Sequence, residues 1–524
     1  MKDTLLLSTF VLLLFAEAAN SQVTFQKSYG DIGMDEGFGA QQTSDGGYVI
    51  AGMSTSVASS MGDFYLARTD GNGNLIWAKT YGTGIFENGT SVQQTSDNGF
   101  IIGGYQTGAA GGTYDGCIVK TDSMGTLLWS RVIGGPANDE IYSVQQTFDG
   151  GYILTGWTYS FIAGGNTDIF LVKTDSGGNV LWSKVFGGSG LDFGNCVKQT
   201  ADSGYIVCCS IMAGGGSGTA GLIKTDGNGN VLWSKAYSNG EEIHGAASVH
   251  QTADGGFIIG GSIHQPGTLI FTDAVLIKTD PSGSVSWAKS YQGIWQDWFS
   301  SVHQSNDGGY IAAGGSNGFV TPNCDFFVVK TDTAGNISWS KVYGRIFDHR
   351  AAYVQQAADG GYAIAGYTKA SSSVNKDFFL VKTDSNGNSG CHEDNAPPLV
   401  FALAMQDYNL VLYDSSGFTD SVPQTIVNSI GMETDMCAPV SAGEMVSSNA
   451  WLVFPTLTAG ELNVHVHSDR QVQFAFYNCI GEKLIDRDLK PEINKIDIYH
   501  LPDGIYFYKL SSKSSVKTGS VIKQ

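Results

Sequence analysis

The chain has 524 residues, a net charge of −20 and only 15% charged residues, with 70 Gly, 23 Tyr and 27 Phe. That length has room for roughly two to four domains. Few charges with much Gly and many aromatics exclude a helical or a disordered protein and suit short strands joined by tight turns. The acidity also argues against nucleic acid or an anionic membrane as a partner, because both need a basic face.

From the N-terminus, Lys2, the apolar run Leu5 to Phe15 and the small residues around Ala16-Glu17-Ala18 read as a secretory signal peptide spanning residues 1–21. The apolar run is too short to cross a bilayer. The mature protein is expected to be exported, soluble or surface-attached, and monomeric. Its acidity then suits solubility outside a cell.

From residue 22 one unit returns about every 52 residues. Its tight turn recurs at Asp45, Asp97, Asp149, Asp202, Asp254, Asp307 and Asp359. A Thr-Asp pair recurs at Asp70, Asp122, Asp175, Asp226, Asp280, Asp332 and Asp384. The third copy shows four strand candidates: Ser143 to Thr147, Tyr152 to Thr158, Ile169 to Thr174 and Val180 to Phe186. Phe148-Asp149-Gly150-Gly151 and Asp175-Ser176-Gly177-Gly178-Asn179 link them, with Gly supplying positive φ. Four antiparallel strands repeated seven times predict an all-β protein whose first region, 22–390, is a seven-bladed β-propeller.

The ends of the repeat region predict how it closes. A Trp follows the Thr-Asp pair in six copies, at Trp77, Trp129, Trp182, Trp233, Trp287 and Trp339, but the seventh copy has Cys391 there. Phe25-Gln26-Lys27-Ser28-Tyr29-Gly30 matches Trp77-Ala78-Lys79-Thr80-Tyr81-Gly82 position for position. Residues 23–30 are therefore expected to supply the outer strand of the last blade and leave no free edge at the seam. The repeat resembles kelch and WD-type repeats in length and strand plan without their diagnostic dipeptides. It is more similar to the Gly-rich propeller repeats of exported Bacteroidetes proteins. That resemblance implies a fold and not an activity.

Two sevenfold or near-sevenfold positions read as scaffold, because a catalytic group acts at one place. Gln42, Gln94, Gln146, Gln199, Gln251, Gln304 and Gln356 are expected to satisfy backbone groups near a central channel. Asp63, Asp115, Asp168, Asp273, Asp325 and Asp377 are expected to cap the third strand. Asp70-Gly71-Asn72-Gly73-Asn74 starts like a calcium loop, yet Leu75 and Tyr81 fall where an EF-hand needs Gly and an acid. It reads as a hairpin turn. The same stretch resembles the Asp-box of sialidase-like propellers, with one extra residue on each side. A sialidase would need an arginine cluster, and the repeats have only Arg68, Arg131, Arg345 and Arg350.

Of the eight cysteines, none forms a Cys-x-x-Cys pair, so no zinc site or other cofactor is expected. Cys117 and Cys324 read as small buried residues. Residues 391–447 lose the period and read as a weakly ordered linker, with a possible Cys391–Cys437 bridge in an exported chain.

From 448 the composition changes. Phe454-Pro455, Gly460-Glu461-Leu462, Gly481-Glu482-Lys483, Leu501-Pro502-Asp503-Gly504-Ile505-Tyr506-Phe507 and the basic end follow in order. Residues 448–524 resemble the C-terminal sorting domain of the type IX secretion system, although Thr456-Leu457 depart from its usual Asn-Pro. The resemblance implies a small immunoglobulin-like sandwich, recognition by the type IX machinery, export across the outer membrane and removal of the tail.

Specificity is expected where the repeats differ. Strand alternation puts both tight turns of a blade on one face. The links between blades and the loops between second and third strands lie on the other. There the chain carries Trp295, Asp297 and Trp298, then Phe347, Asp348, His349 and Arg350, then Glu241, Glu242 and His244. Exposed aromatics beside polar groups suit a sugar or a protein ligand. The favoured expectation is an exported, non-enzymatic binding or scaffold protein for glycan or protein ligands. A carbohydrate-active enzyme would need converging carboxylates about 5–10 Å apart. A purely structural or adhesive surface protein is the third possibility.

Overall fold

The computed structural model describes residues 22–523, except short stretches. These are chiefly the loops between second and third strands (56–60, 109–112, 162–166, 213–217, 265–270, 320–323 and 370–375), residues 240–242 and 345–347, and 436–450. The proposed signal peptide, Glu241, Glu242, Phe347 and Cys437 lie outside the described residues. The chain divides into two units, Met1–Ala438 and Pro439–Gln524.

The described residues of the first unit are all strands, turns and loops. Seven sheets follow the repeat, each with four antiparallel strands in hairpin order. In the third, Asp139–Gln146, Tyr152–Thr158, Asp168–Thr174 and Val180–Gly187 pair in sequence. In the seventh, His349–Gln356, Tyr362–Lys369 and Lys376–Thr383 take their fourth strand from the N-terminus, with Phe25 opposite Lys382 and Tyr29 opposite Phe378.

Seven apolar clusters separate neighbouring sheets. One joins Tyr81 and Phe64 to Phe100 and Val119, and another joins Phe25, Tyr29, Phe378 and Leu380 to Tyr48 and Tyr65. The latter places the seventh sheet against the first. Each outer-strand aromatic sits on the positive-φ glycine of the next sheet's second turn. A Cβ at Gly125 would come within 2.8 Å of Trp77, and one at Gly73 within 2.6 Å of Phe25. Only glycine meets both demands, φ of +70° to +75° and the close ring. The neighbouring Tyr hydroxyls finish the joint: Tyr81 donates to Gly125 O at 2.7 Å and Tyr29 to Gly73 O at 2.6 Å.

The sevenfold glutamines link the sheets around the channel. Gln94 Oε1 accepts the Ser44 N–H, Gln146 that of Ser96, and so on through Gln356 with Asn306, all near 2.8–3.0 Å. Gln42 Oε1 accepts the Ala358 N–H at 2.8 Å, joining the seventh sheet to the first. The turn carboxylates meet a repeated cation that sequence reading had left without a role. Lys278 Nζ lies 2.9 Å from Asp254, Lys224 2.8 Å from Asp202, and Arg68 pairs with Asp45.

Residues 393–435, read as a linker, form seven short strands, one on the outer edge of each sheet. Glu393–Asn395 pairs with Ile337–Tyr343 of the sixth sheet. Leu399–Ala402, Gln406–Asn409, Tyr413–Ser415, Thr419–Ser421 and Ile426–Ser429 follow on the fifth, fourth, third, second and first. Met432–Asp435 ends the circuit on Phe25–Gly30 of the seventh. The chain thus travels round the sheets in reverse order and makes each sheet five-stranded. The reason is the edge: each fourth strand would otherwise present unpaired N–H and C=O groups. Phe25–Gly30 is consequently an inner strand of its sheet and not its edge. Cys391, at the start of this belt, is disulfide-bonded. Cys117 and Cys324 are free and buried, as expected.

The second unit has a three-stranded sheet of Trp451–Phe454, Glu461–Val466 and Ile493–Asp497, and a five-stranded sheet that includes Val472–Tyr477, Gly504–Ser511 and Val516–Lys523. Leu462, Val464 and Ile496 from the first share one core with Phe474, Phe476, Tyr508 and Leu510 from the second. Gly504-Ile505-Tyr506 opens a central strand, and Tyr506 donates to Pro502 O at 2.6 Å.

Candidate functional site

The first strand of every sheet runs from the link face toward the turn face. All seven carry a β-bulge at the fourth residue or its equivalent: the register shifts around Phe38, Thr90, Tyr142, Asn195, Ala247, Ser300 and Ala352. A bulge leaves its residue out of the ladder and re-aims the side chain. Here all seven line the central cavity. The scaffold is therefore repeated, and the side chains it presents differ from sheet to sheet.

Toward the link face lies a second cavity of about 620 Å³, which shares Phe38, Thr90, Tyr142, Asn195, Ala247 and Ser300 with the first. Phe38, Tyr105, Tyr142 and Trp298 supply aromatic surface, and Asn88, Thr90, Asn195, Ser210, Ser262 and Ser300 supply amides and hydroxyls. The fifth sheet contributes only small residues, Gly245, Ala246, Ala247, Gly261 and Ser262. The polar groups are fixed by their neighbours. Trp157 Nε1 donates to Tyr142 Oη at 2.9 Å, Asn88 Nδ2 to Tyr105 Oη at 3.1 Å, and Asn195 Nδ2 to Ala246 O at 2.7 Å. Asn88 Oδ1 is buried with no hydrogen-bond partner. Glu140, beside Tyr142, is pushed up to about 7 by burial.

The residues expected at the site separate. Trp298 lines the cavity, and the Arg350 guanidinium lies 5.5 Å from its ring centre. Trp295 is 51% exposed and packs edge-on against Phe271, away from the cavity lining. His349 does not face solvent. It is 3% exposed, lies 5.4 Å from the Phe379 ring and is held at about 4 by burial. Its register explains this: it is the first residue of its strand, where other sheets bury an acid. Asp297 is one of those, fully buried and pushed up to about 7 by burial, with Asp273 adding charge. Glu242 and Phe347 lie outside the described residues, as does the side chain of His244, in strand Ile243–Gln251.

The near-sevenfold aspartates do more than begin a strand. At several seams the acid of the third strand faces the acid that opens the next sheet. Asp63 raises Glu87, Asp139 raises Asp115, and Asp192 raises Asp168, in each case after burial. These pairs repeat at the joints and do not line the cavity toward the link face, so they belong to the scaffold. The signal for them, an acid at Asp35, Glu87, Asp139, Asp192 and Asp297, is present in the sequence.

Residues 452–524 match the family described as secretion system C-terminal sorting domain. No curated protein matches. Among solved structures, the chain is similar to the extracellular domain of a putative hybrid two component system from B. thetaiotaomicron. That match is 9% identical, covers 94% of this chain and 56% of that one, and has a TM-score of 0.37. Another is Sqt1 from Chaetomium thermophilum, 13% identical over 74% of this chain and 99% of that one, with a TM-score of 0.39. The sorting domain marks the chain for the type IX secretion machinery and for export to the cell surface or the medium.

Proposed function

We propose that this is a closed seven-bladed β-propeller, cinched by its belt and followed by an immunoglobulin-like sorting sandwich. On this reading it acts outside the cell as a non-enzymatic binding protein for an uncharged oligosaccharide. One observation carries the ligand class: seven bulges on a repeated scaffold aim unlike side chains into the central cavity, and the cavity toward the link face offers aromatic faces, amides and hydroxyls. Sugars stack their apolar faces on aromatics and exchange hydrogen bonds with amides. The buried, unpartnered Asn88 Oδ1 suits a hydroxyl donor.

A glycan array probed with the mature chain tests this. Binding to neutral glycans is expected. Trp298→Ala should weaken it roughly thirtyfold, about 2 kcal/mol, as loss of a central aromatic anchor does, without lowering the melting temperature. Exclusive binding to charged glycans, release of sugar products, or unchanged affinity in Trp298→Ala would overturn it.

A further inference from the structure

Below the bulges, the channel carries a second ring of equivalent residues: Gln41, Gln93, Gln145, Lys198, His250, His303 and Gln355. In the first three sheets this residue ties neighbours together. Gln41 Oε1 accepts the Gln94 N–H, Gln93 that of Gln146, and Gln145 that of Gln199, each at 2.6 Å. Three consecutive sheets abandon that bond and place donors in the channel instead. The His250 and His303 ring centres are 4.8 Å apart, and His303 lies 5.6 Å from Tyr353.

The electrostatics of this arc run against the rest of the molecule. In a chain of net charge −20, no Asp or Glu is among the residues lining this channel of about 510 Å³. The Lys198 ammonium makes no ion pair or hydrogen bond among the described residues. Contrast the seven turn cations, each of which has its carboxylate. His250 Nδ1 is buried without a partner. Burial and then the Lys198 charge hold His250 at about 4, against a bond to the Gln251 backbone that acts the other way, so it is neutral near pH 7. The Cys196 thiol also lines the channel; a hydrogen bond with Cys208 first, and the Lys198 charge as well, pull it below the usual thiol range, so it can set a negative charge beside Lys198.

We infer that Lys198, His250 and His303 form a binding site for a small oxyanion, phosphate or carboxylate, in the channel between the bulges and the turn face. An ammonium beside imidazoles, with no carboxylate among the lining groups, is an arrangement suited to charge-assisted hydrogen bonds to an oxyanion. The inference does not rest on the oligosaccharide reading, which concerns the cavity toward the link face.

Calorimetric titration of the mature chain with inorganic phosphate, and separately with acetate, tests it at low salt. Saturable binding of one equivalent is expected for at least one of the two, and the stronger one names the headgroup. Lys198→Gln puts the first sheets' own residue into the ring, so it should fold, and it should weaken binding at least tenfold. Cys196→Ser should leave binding intact. A rise in the His250 pKa on adding the bound anion, read by NMR, is the second readout. Equal binding by Lys198→Gln, no saturable binding of either anion, or loss of binding in Cys196→Ser would overturn the site. Trp298→Ala should leave anion binding unchanged, which keeps this test separate from that of the link-face cavity.

Discussion

On the turn face Asp149, Asp202 and Asp254 are drawn down to about 2; on the link face burial pushes Glu87, Asp168 and Asp297 up to about 7. Both sets are repeated acids of one scaffold, and burial pushes both upward. The difference is what burial meets. A turn acid finds a Thr hydroxyl, a backbone N–H and a buried Lys, which together outweigh it. A link-face acid finds another acid across the seam. The turn face is thus built from satisfied charge and repeats with little change. The link face holds charge under tension and opens, at its centre, onto a surface where the sheets differ.

The largest effect is expected at the seam between the seventh sheet and the first, where the proposed closure lies. Deleting residues 22–30 removes the fourth strand of the seventh sheet, uncovers Phe378 and Leu380 and leaves Met432–Asp435 without its partner. Burial of Phe25 alone is worth roughly 1.5–3 kcal/mol, and the exposed edge invites aggregation. Loss of soluble protein is expected. Equal yield and melting temperature in the truncated chain would refute the closure.

The link-face acids sharpen the comparison through pH. Asp297 has an ordinary value of 3.8 and stands at about 7 in the fold. A raised carboxyl binds its proton more tightly when folded, so its contribution is greatest at low pH and falls as pH rises from about 4 through about 7. Asp297→Asn removes that penalty. At pH 8 the melting temperature should rise by a few degrees, on the scale of about 2–4 °C per kcal/mol for a large domain. At pH 4 it should match the parent. A gain of equal size at both pH values would mean that the carboxyl is ionised throughout and that the seam is not under charge tension.

Much of this was readable from residues. The Trp77 and Gly125 positions, the Gln42 series and the Phe25 match to Trp77 recur often enough for each copy to check the others. The belt was not readable, because strands of three or four residues such as Tyr413–Ser415 are too short to show alternation. They are strands only because an edge waits for them. Nor could the bulge at Tyr142 be seen, since a bulge exists only against a partner strand. His349 was misread for a related reason. It follows a variable loop, but register makes it the first buried residue of a strand, and Trp298, one residue further along its own strand, turns to the cavity instead.

The smallest effect expected is on the turn face, where charge is satisfied. Asp254 has an ordinary value of 3.8 and stands at about 2: burial raises it, and the Thr252 hydroxyl, Lys278 and the Gly256 N–H more than offset this. A depressed acid contributes stability that is full above about pH 4 and is lost as pH falls through about 2. Asp254 is mostly exposed, 63% of its side chain, whereas Lys278 is 6% exposed. Solvent screening on the acid's side keeps the pair's coupling near about 1 kcal/mol or less. The two halves should nevertheless behave unequally. Lys278→Met leaves a carboxylate that water can solvate. Asp254→Asn leaves a buried ammonium whose remaining partner among the described residues is Thr279 O, at 2.7 Å. Asp254→Asn should therefore cost more than Lys278→Met in urea unfolding at pH 7, and should flatten the loss of stability between pH 4 and pH 2. If Lys278→Met is the costlier change, the lysine acts by packing its stem and by its carbonyl bond, and the turn face owes less to charge than its seven ion pairs suggest.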